Sequence, residues 1–292
     1  MSKPFNVTII QPPGYIHSQA LSEAAEYVQA MLQRCGVAAE LSLNRLPASH
    51  HNVVFCAHLL LPQHVAGLPA DSIIFNSEQL DNRDGWYFKR GVYGELLQRF
   101  HVWDYSANNL PLIAHVNKAV LPFRHCDALI RNTPPLAEKP GLLFYGQPTD
   151  RRIKLIQEIE AAGIAVTPVA ELYGADRDAA MLSAWAVLNL HNADHVRNFE
   201  VIRCFHPLIN NIPVISEDET DDPSAEAFRS FIFSFRTLSL VEGIQALYTD
   251  AAGFSSQAQA KLKAFRASDA LPDFQRALAA YMANTQEPPS AR

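Results

Sequence analysis

Between residues 141 and 217 the chain alternates short apolar runs with amphipathic ones, and this alternation restricts the fold more than any other feature of its 292 residues. Leu142-Leu143-Phe144-Tyr145 reads as a buried strand. Gly146 and a polar turn follow, then an amphipathic helix over 151–162. Another strand, a short helix, a strand over 186–190, a helix around 200–210 and the strand Pro213-Val214-Ile215 complete the segment. Strands alternating with helices predict an α/β fold with a parallel sheet, because parallel neighbours need a crossover that a helix supplies. In such sheets ligands bind at the carboxyl ends of the strands, beside helix N-termini whose amides favour anions. Gly146, Arg151, Arg152, His191, Asn192, Asn198, Glu200 and Arg203 fall at those ends, a polar set suited to a phosphorylated ligand.

The first half carries the same pattern. Strands are expected over 7–10, 40–43, 53–57, 73–75, 102–104 and 119–121. A strong helix is expected over 18–35, where Leu21, Ala25, Val28, Leu32 and Cys35 recur at three- and four-residue steps before Gly36. The strands end in polar loops that carry His58, Glu78 and Asp104, the last with Ser106 and Asn108. The proline-rich stretch 131–140 is the expected boundary between two domains, 1–135 and 136–284. Beyond it, a strand is expected over 231–233, helices over 239–250 and 256–282, and a disordered tail over 285–292. Two such domains in tandem place a site in the cleft between them.

Composition narrows the function. A formal net charge of −6 argues against broad nucleic-acid binding, which needs a basic surface. Cys35, Cys56, Cys126 and Cys204 form no Cys-x-x-Cys pair, which fits reduced, mostly buried thiols in a cytoplasmic protein. The N-terminus lacks a signal-peptide layout. No apolar run approaches the ~20 residues of a membrane span, so membrane association is expected to be peripheral at most. Gly-x-Ser-x-Gly, the Walker phosphate loop and Gly-x-Gly-x-x-Gly are all absent, which counts against a serine hydrolase, a P-loop enzyme and a standard dinucleotide oxidoreductase. His191 and His195 are four apart but follow a strand and lack cysteine partners, so no metal site is expected there. His50-His51 sits in a polar loop and is expected to be solvated.

Two stretches carry a resemblance. The first is Phe144-Tyr145-Gly146-Gln147 with Arg151-Arg152 soon after; the second is Asn198-Phe199-Glu200-Val201-Ile202-Arg203 followed by Asn211-Ile212-Pro213-Val214-Ile215-Ser216. Over 142–216 the chain resembles the donor domain of GT-B-type glycosyltransferases, in particular bacterial family 1/4-like members. Phe75-Asn76-Ser77-Glu78-Gln79-Leu80 and Trp103-Asp104-Tyr105-Ser106-Ala107-Asn108 are similar to segments that line the cleft in some of them. The resemblance implies two Rossmann-like domains facing each other across a cleft, with the nucleotide-sugar donor on the C-terminal domain and the acceptor on the N-terminal one. It implies donor binding by Gly146, Arg151, Arg152, His191, Asn198, Phe199, Glu200, Arg203 and His206. His206 stands where the family usually has a ribose-binding glutamate, and Asn211-Ile212 replaces its small glycine.

The chemistry agrees with this set. Glycine lets a phosphate approach the backbone, and guanidinium forks match phosphate oxygens. The function expected is sugar transfer from a nucleotide-sugar to an acceptor hydroxyl, in a bacterial glycan or surface-polysaccharide setting. Positive charge from the fold replaces a metal, and no cofactor is expected. Glu78 and Asp104 are the candidate catalytic residues at the acceptor, either of them as base; their bland alternatives are favourable charge at a helix start and loop capping. Two other readings stay open: a non-catalytic nucleotide- or sugar-binding clamp, and a nucleotide-sugar epimerase.

Overall fold

The computed structural model describes residues 3–80, 92–131, 141–194, 198–218 and 222–286. The chain divides into two compact units, Met1–Phe123 with Ala270–Arg292, and Arg124–Asp269. Each is built on its own all-parallel sheet, one of six strands and one of five.

The first unit runs β1 (Phe5–Ile9), α1 (Ser22–Arg34), β2 (Ala39–Leu43), β3 (His51–Phe55), α2 (Pro62–Val65), β4 (Ile73–Asn76), α3 (Tyr93–Arg99), β5 (His101–Asp104) and β6 (Lys118–Val120). Its strand order is β2-β1-β3-β4-β5-β6. The direction of strand addition reverses between β1 and β3, which makes their carboxyl ends the switch point where such sheets open a crevice. The central strands β1, β3, β4 and β5 are buried on both faces, as strands covered by helices must be. Helix α1 ends where Gly36 takes φ +79°, a conformation that costs glycine little.

The second unit runs β7 (Leu142–Tyr145), α4 (Asp150–Ala161), β8 (Val166–Val169), α5 (Gly174–Leu182), β9 (Ala186–Asn189), α6 (Val201–Ile209), β10 (Val214–Glu217), α7 (Pro223–Arg229), β11 (Phe233–Phe235), α8 (Leu240–Thr249) and α9 (Ala251–Arg266). Its order is β11-β10-β9-β7-β8, so its switch point lies between β7 and β9. Side-chain caps start its helices: Thr149 Oγ1 accepts from Arg152 N, Asp222 from Ser224 N, and Asp250 from Gly253 N.

Helix α6 contains Pro207, whose missing N–H would orphan the carbonyl of Arg203 one turn earlier. The Tyr145 hydroxyl donates to that carbonyl at 2.7 Å and repairs the gap from the end of β7. The helix closes with Ile212 N donating to Pro207 O at 2.9 Å, while Asn211 holds φ +64°. Asparagine tolerates that left-handed position, which explains how the chain manages without the family's glycine.

Helix α10 (Leu271–Gln286) returns the chain to the first unit. Three expectations change here. The single helix over 256–282 is two, because Pro272 belongs at the start of a helix and not in its interior. The C-terminal helix belongs with the first unit rather than with domain 136–284; Thr285 and Gln286 are still helical, and 287–292 lie outside the described residues. The first division falls at Phe123/Arg124 rather than at 135/136, because Arg131 N donates to Asn210 Oδ1 at 2.7 Å and Asn210 Nδ2 donates to Leu129 O at 3.3 Å, fixing this stretch to α6's end before the prolines begin. Strand β11 also starts two residues later than expected, since Phe231 N completes a turn by donating to Phe228 O. Cys56, Cys126 and Cys204 are buried, as expected, and Cys35 is half-buried.

Helix α10 also corrects the expectation for His51, which is buried at the start of β3. Its ring packs on Phe5 and Tyr281, with Nδ1 2.8 Å from the Tyr281 hydroxyl and 2.9 Å from Asp71. Beside it, His101 meets Tyr281 edge-on at 5.1 Å and has no hydrogen-bond partner on either ring nitrogen. Burial, aided by the charge of His115, pulls His101 down to about 4. Folding therefore disfavours its protonated form, and stability is lost as pH falls from about 6.5 through about 4. Comparing urea melts of the wild type and His101→Phe checks this: the wild type should lose ground to the variant over that window, and parallel profiles would refute it.

Candidate functional site

At the switch point of the second unit, Gly146 follows β7 and His191 lies just beyond β9. Gly146 has φ +145°, and a Cβ there would meet Arg203 Nη2 at 3.3 Å, so this position needs glycine for both conformation and space. Three arginines lie at this end of the sheet, Arg203 against Gly146 itself and Arg151 and Arg152 on the carbonyls of His191 and Leu190. Arg151 and Arg152 come from the first turn of α4, and Arg203 from the first turn of α6.

Each guanidinium is anchored. Arg151 forks onto both carboxylate oxygens of Glu217, pairs with Asp194, and donates to His191 O at 3.2 Å. Arg152 donates to Leu190 O at 3.1 and 2.9 Å and to Gln147 O at 3.1 Å, and pairs with Glu200 at 3.2 Å. Arg203 pairs with Glu200 and donates to Asn189 Oδ1 at 2.8 Å. Arg152 and Arg203 both stand over the Phe144 ring, at 5.4 and 5.8 Å. Burial, with Arg203 nearby, lowers Arg152 to about 10. Burial works to raise Glu217, but hydrogen bonds from Arg151, Thr237 and His191 N outweigh it and hold the carboxyl below its ordinary value. Glu217 is 0 % exposed and ties α4, the end of β9 and the turn after β11 to one carboxylate.

His191 is 1 % exposed, and both its ring nitrogens lack a partner. Burial lowers its pKa, although Glu217 and Glu200 pull the other way. An unpartnered buried imidazole between these carboxylates and arginines is free to take one hydrogen bond from a ligand.

Gly146, Arg151, Arg152, His191, Glu200 and Arg203 are therefore brought together as expected from sequence. Asn198 is buried ahead of α6. Two other candidates are placed elsewhere. Phe199 packs its ring on Phe228 at 5.6 Å and gives its N–H to Asp222 Oδ2 at 3.1 Å, so that amide is already occupied. His206 donates toward Asp178 Oδ1 at 3.0 Å, beside Arg177 and Arg131, rather than joining the Gly146 group. Burial raises Asp178, but the His206 and Arg177 contacts win and bring it to about 2. His195 lies outside the described residues. Glu217 was missed in sequence, where it read as the first residue of an acidic loop; its apolar lead-in Val214-Ile215 was the available signal that it ends a strand.

In the first unit, Glu78 follows β4 and lies 3.2 Å from His58 Nδ1, which comes from the turn after β3 at that sheet's switch point. His58 also meets the Tyr93 ring edge-on at 5.8 Å. Tyr15, from the loop after β1, is raised by burial and by the neighbouring Cys56 and Glu78. Asp104 behaves differently from Glu78. It is 0 % exposed and accepts from Asn76 Nδ2 at 2.7 Å, Ser106 N at 2.8 Å and Asn109 Nδ2 at 3.0 Å. Burial nonetheless pushes it up to about 7.

Comparisons with known proteins follow this geometry. No protein-family model matches the chain. Three uncharacterized proteins of Acanthamoeba polyphaga mimivirus are similar in sequence. One is 26 % identical over 185 residues (60 % of this chain, 24 % of that protein), a second 23 % over 177 residues (59 % and 56 %), and a third 27 % over 146 residues (50 % and 49 %). The chain thus spans between a quarter and just over half of these relatives' lengths. Among solved structures, Anabaena HepE in complex with UDP and glucose superposes with a TM-score of 0.62 at 11 % identity, covering 96 % of this chain and 99 % of that one. WaaG, a glycosyltransferase involved in lipopolysaccharide biosynthesis, gives 0.57 at 10 % identity (97 % and 100 %). T4 phage BGT in complex with UDP and Mn2+ gives 0.53 at 11 % identity (94 % and 99 %). At these identities the likeness is one of fold, and the fold is the two-domain GT-B arrangement of parallel α/β units.

Asp104 supplies a pH test. Its carboxyl holds a proton to about 7 in the folded chain and to 3.8 in a free one. Its contribution to stability is therefore present below 3.8 and lost as pH rises through about 7. The stability of the wild type minus that of Asp104→Asn should fall across this window in urea melts; a difference that stays flat would mean the buried carboxyl is not titrating there.

Proposed function

We propose that this GT-B-fold chain transfers a sugar from a nucleotide-sugar donor to an acceptor hydroxyl. The observation that carries this reading is the group at the β7/β9 switch point: a glycine that keeps the backbone open against the Arg203 guanidinium, with Arg152 on the next carbonyl, Gln147 O, and Arg151 on His191 O and Glu217. A departing nucleoside diphosphate develops negative charge, and prearranged guanidinium groups in a poorly hydrated site stabilise it without reorganising. His191 adds an uncommitted imidazole beside them.

In this reading the second unit takes the donor and the first unit the acceptor, the division the GT-B resemblance implies. The Glu78–His58 pair accepts the proton of the acceptor hydroxyl as its oxygen bonds to the sugar and the bond to the diphosphate breaks. Gly146, Arg151, Arg152, His191, Glu200 and Arg203 form the donor side. Asn198 stays on the donor side as the resemblance implies, while Phe199 and His206, turned to Phe228 and Asp178, support α6. The arginines supply the positive charge, so the transfer takes no obligatory metal or other cofactor. We place the reaction in the cytoplasm and in glycan synthesis, and the description of WaaG as involved in lipopolysaccharide biosynthesis supports the glycan setting alone. Among the described residues, no helix is long and apolar enough to cross a membrane.

One observation favours a second reading. Arg151 and Arg203 already hold carboxylates, Glu217 and Glu200, where an anionic ligand would compete. A clamp that binds a nucleotide or sugar without turnover fits such closed pairs.

Thermal-shift and calorimetric titrations with UDP, GDP, CMP, ADP, dTDP and their sugars test the donor side. One nucleotide should bind selectively, and Arg203→Lys, which keeps the charge but loses the fork, should weaken it roughly tenfold. Binding of none of them removes the donor assignment. With the donor known, Glu78→Gln should lower kcat by about 10²–10⁴-fold while donor affinity holds. Activity should survive EDTA. Binding without turnover under any acceptor would favour the clamp.

A further inference from the structure

The hydrogen bonds around Asp104 do more than satisfy a buried carboxylate. Asn76 and Asn109 each use the whole of their amide groups in one closed array. Asn76 Nδ2 donates to Asp104 Oδ2 at 2.7 Å and to Glu78 O at 2.9 Å, while its Oδ1 accepts from Glu78 N at 3.2 Å and from the Tyr93 hydroxyl at 2.5 Å. Asn109 Nδ2 donates to Asp104 Oδ1 at 3.0 Å and to Glu78 O at 3.0 Å, while its Oδ1 accepts from Leu80 N at 3.0 Å. The loop that carries Glu78 thus has its N–H, its carbonyl and the N–H two residues on held by two side-chain amides. Both amides are oriented by the same two acceptors, the Asp104 carboxylate and the Glu78 carbonyl, which draw in both NH2 groups and leave both amide oxygens for the loop N–H groups.

We propose that Asp104 is a positioning residue, the acceptor at the centre of a cage with Asn76 and Asn109 that fixes Glu78 against His58, and not itself the base. This rests on the reading of Glu78 as the acceptor-side carboxylate. It divides between two residues the work that the sequence assigned to either: Glu78 is presented at the strand ends, 3.2 Å from His58, and Asp104 lies sealed beneath it.

The logic of the cage specifies its own rescue. Asp104→Asn places an NH2 group against the Asn76 NH2 group. If the Asn76 amide turns over to relieve this, Glu78 N loses its acceptor. The exchange Asp104→Asn/Asn76→Asp moves the carboxylate across the contact. It restores a donor–acceptor pair between positions 76 and 104 and keeps an acceptor for Glu78 N and the Tyr93 hydroxyl. The Glu78 carbonyl loses the Asn76 donor at 2.9 Å, meets a carboxylate oxygen there instead and relies on Asn109, so the exchange repairs the 76–104 contact at the expense of this one. A carboxylate needed for chemistry at position 104 would not be replaced by this exchange.

NMR of the labelled full chain, without substrate, tests the proposal, so its outcome is independent of whether any nucleotide-sugar is turned over. Amide hydrogen exchange at Glu78 and Leu80 reads the loop, and the ring nitrogen shifts of His58 read the Glu78 contact. In Asp104→Asn, exchange at both amides should rise roughly tenfold or more. The His58 shifts should move toward those of Glu78→Gln. The exchanged pair should bring both part of the way back to wild type, the remainder reflecting the lost bond from position 76 to the Glu78 carbonyl. If Asp104→Asn does not fold, Asn109→Ala removes the tie to Leu80 N while leaving the Asp104–Asn76 contact, and the same displacement is expected. Unaltered exchange and ring shifts in a folded variant, or an exchanged pair that recovers neither, would overturn the cage.

Discussion

Parallel pairing is the constraint on which the rest of this structure depends. A parallel strand can be followed by its neighbour only through a crossover, so every strand of a sheet points the same way and every carboxyl end emerges on one edge. Residues far apart in sequence, such as Gly146, His191 and Glu217, become neighbours for that reason alone. The same holds in the first unit for His58, Glu78 and Asp104. Where the strand order reverses, adjacent loops leave in opposite directions and open a crevice. Both units reverse in the same way, at β1/β3 and at β7/β9.

Buried charge then sets what each edge can do. In the second unit three guanidinium groups and the carboxylates Glu200 and Glu217 come out of water together, which is tolerable only because every group has partners. Removing one partner from such a set commonly costs about 3–5 kcal/mol, far more than an exposed pair is worth. In the first unit the buried carboxylate of Asp104 is surrounded by donors, and it organises a loop instead of facing solvent.

Much of this was legible from periodicity. The strands and helices around Gly146 fall within a residue or two of where the apolar pattern puts them, because β7, β9 and β10 have both faces covered and each helix has one. The arginines after β7 and at the start of α6 were legible as a group because helix starts follow strand ends in this pattern. Local chemistry that overrides periodicity was harder to read. Pro272 splits what looked like one long helix, and Tyr145 makes Pro207 tolerable inside another. His51 looked solvated because nothing nearby in sequence covers it; the cover is Tyr281, 230 residues away.

The sequence by itself determined the α/β class, the two parallel sheets and the cluster of polar residues at their carboxyl ends, since these follow from local periodicity and from the direction that parallel pairing imposes. Only the tertiary structure decided the work of each residue in the cluster. Glu78 and Asp104 both end strands beside polar loops, yet one is presented and the other enclosed. His206 shares a helix with Arg203 but answers to Asp178, and Glu217 leads an acidic run but is wholly buried. Burial and hydrogen-bond partnership come from strand order and from long-range packing, and neither is written in the spacing of residues along the chain.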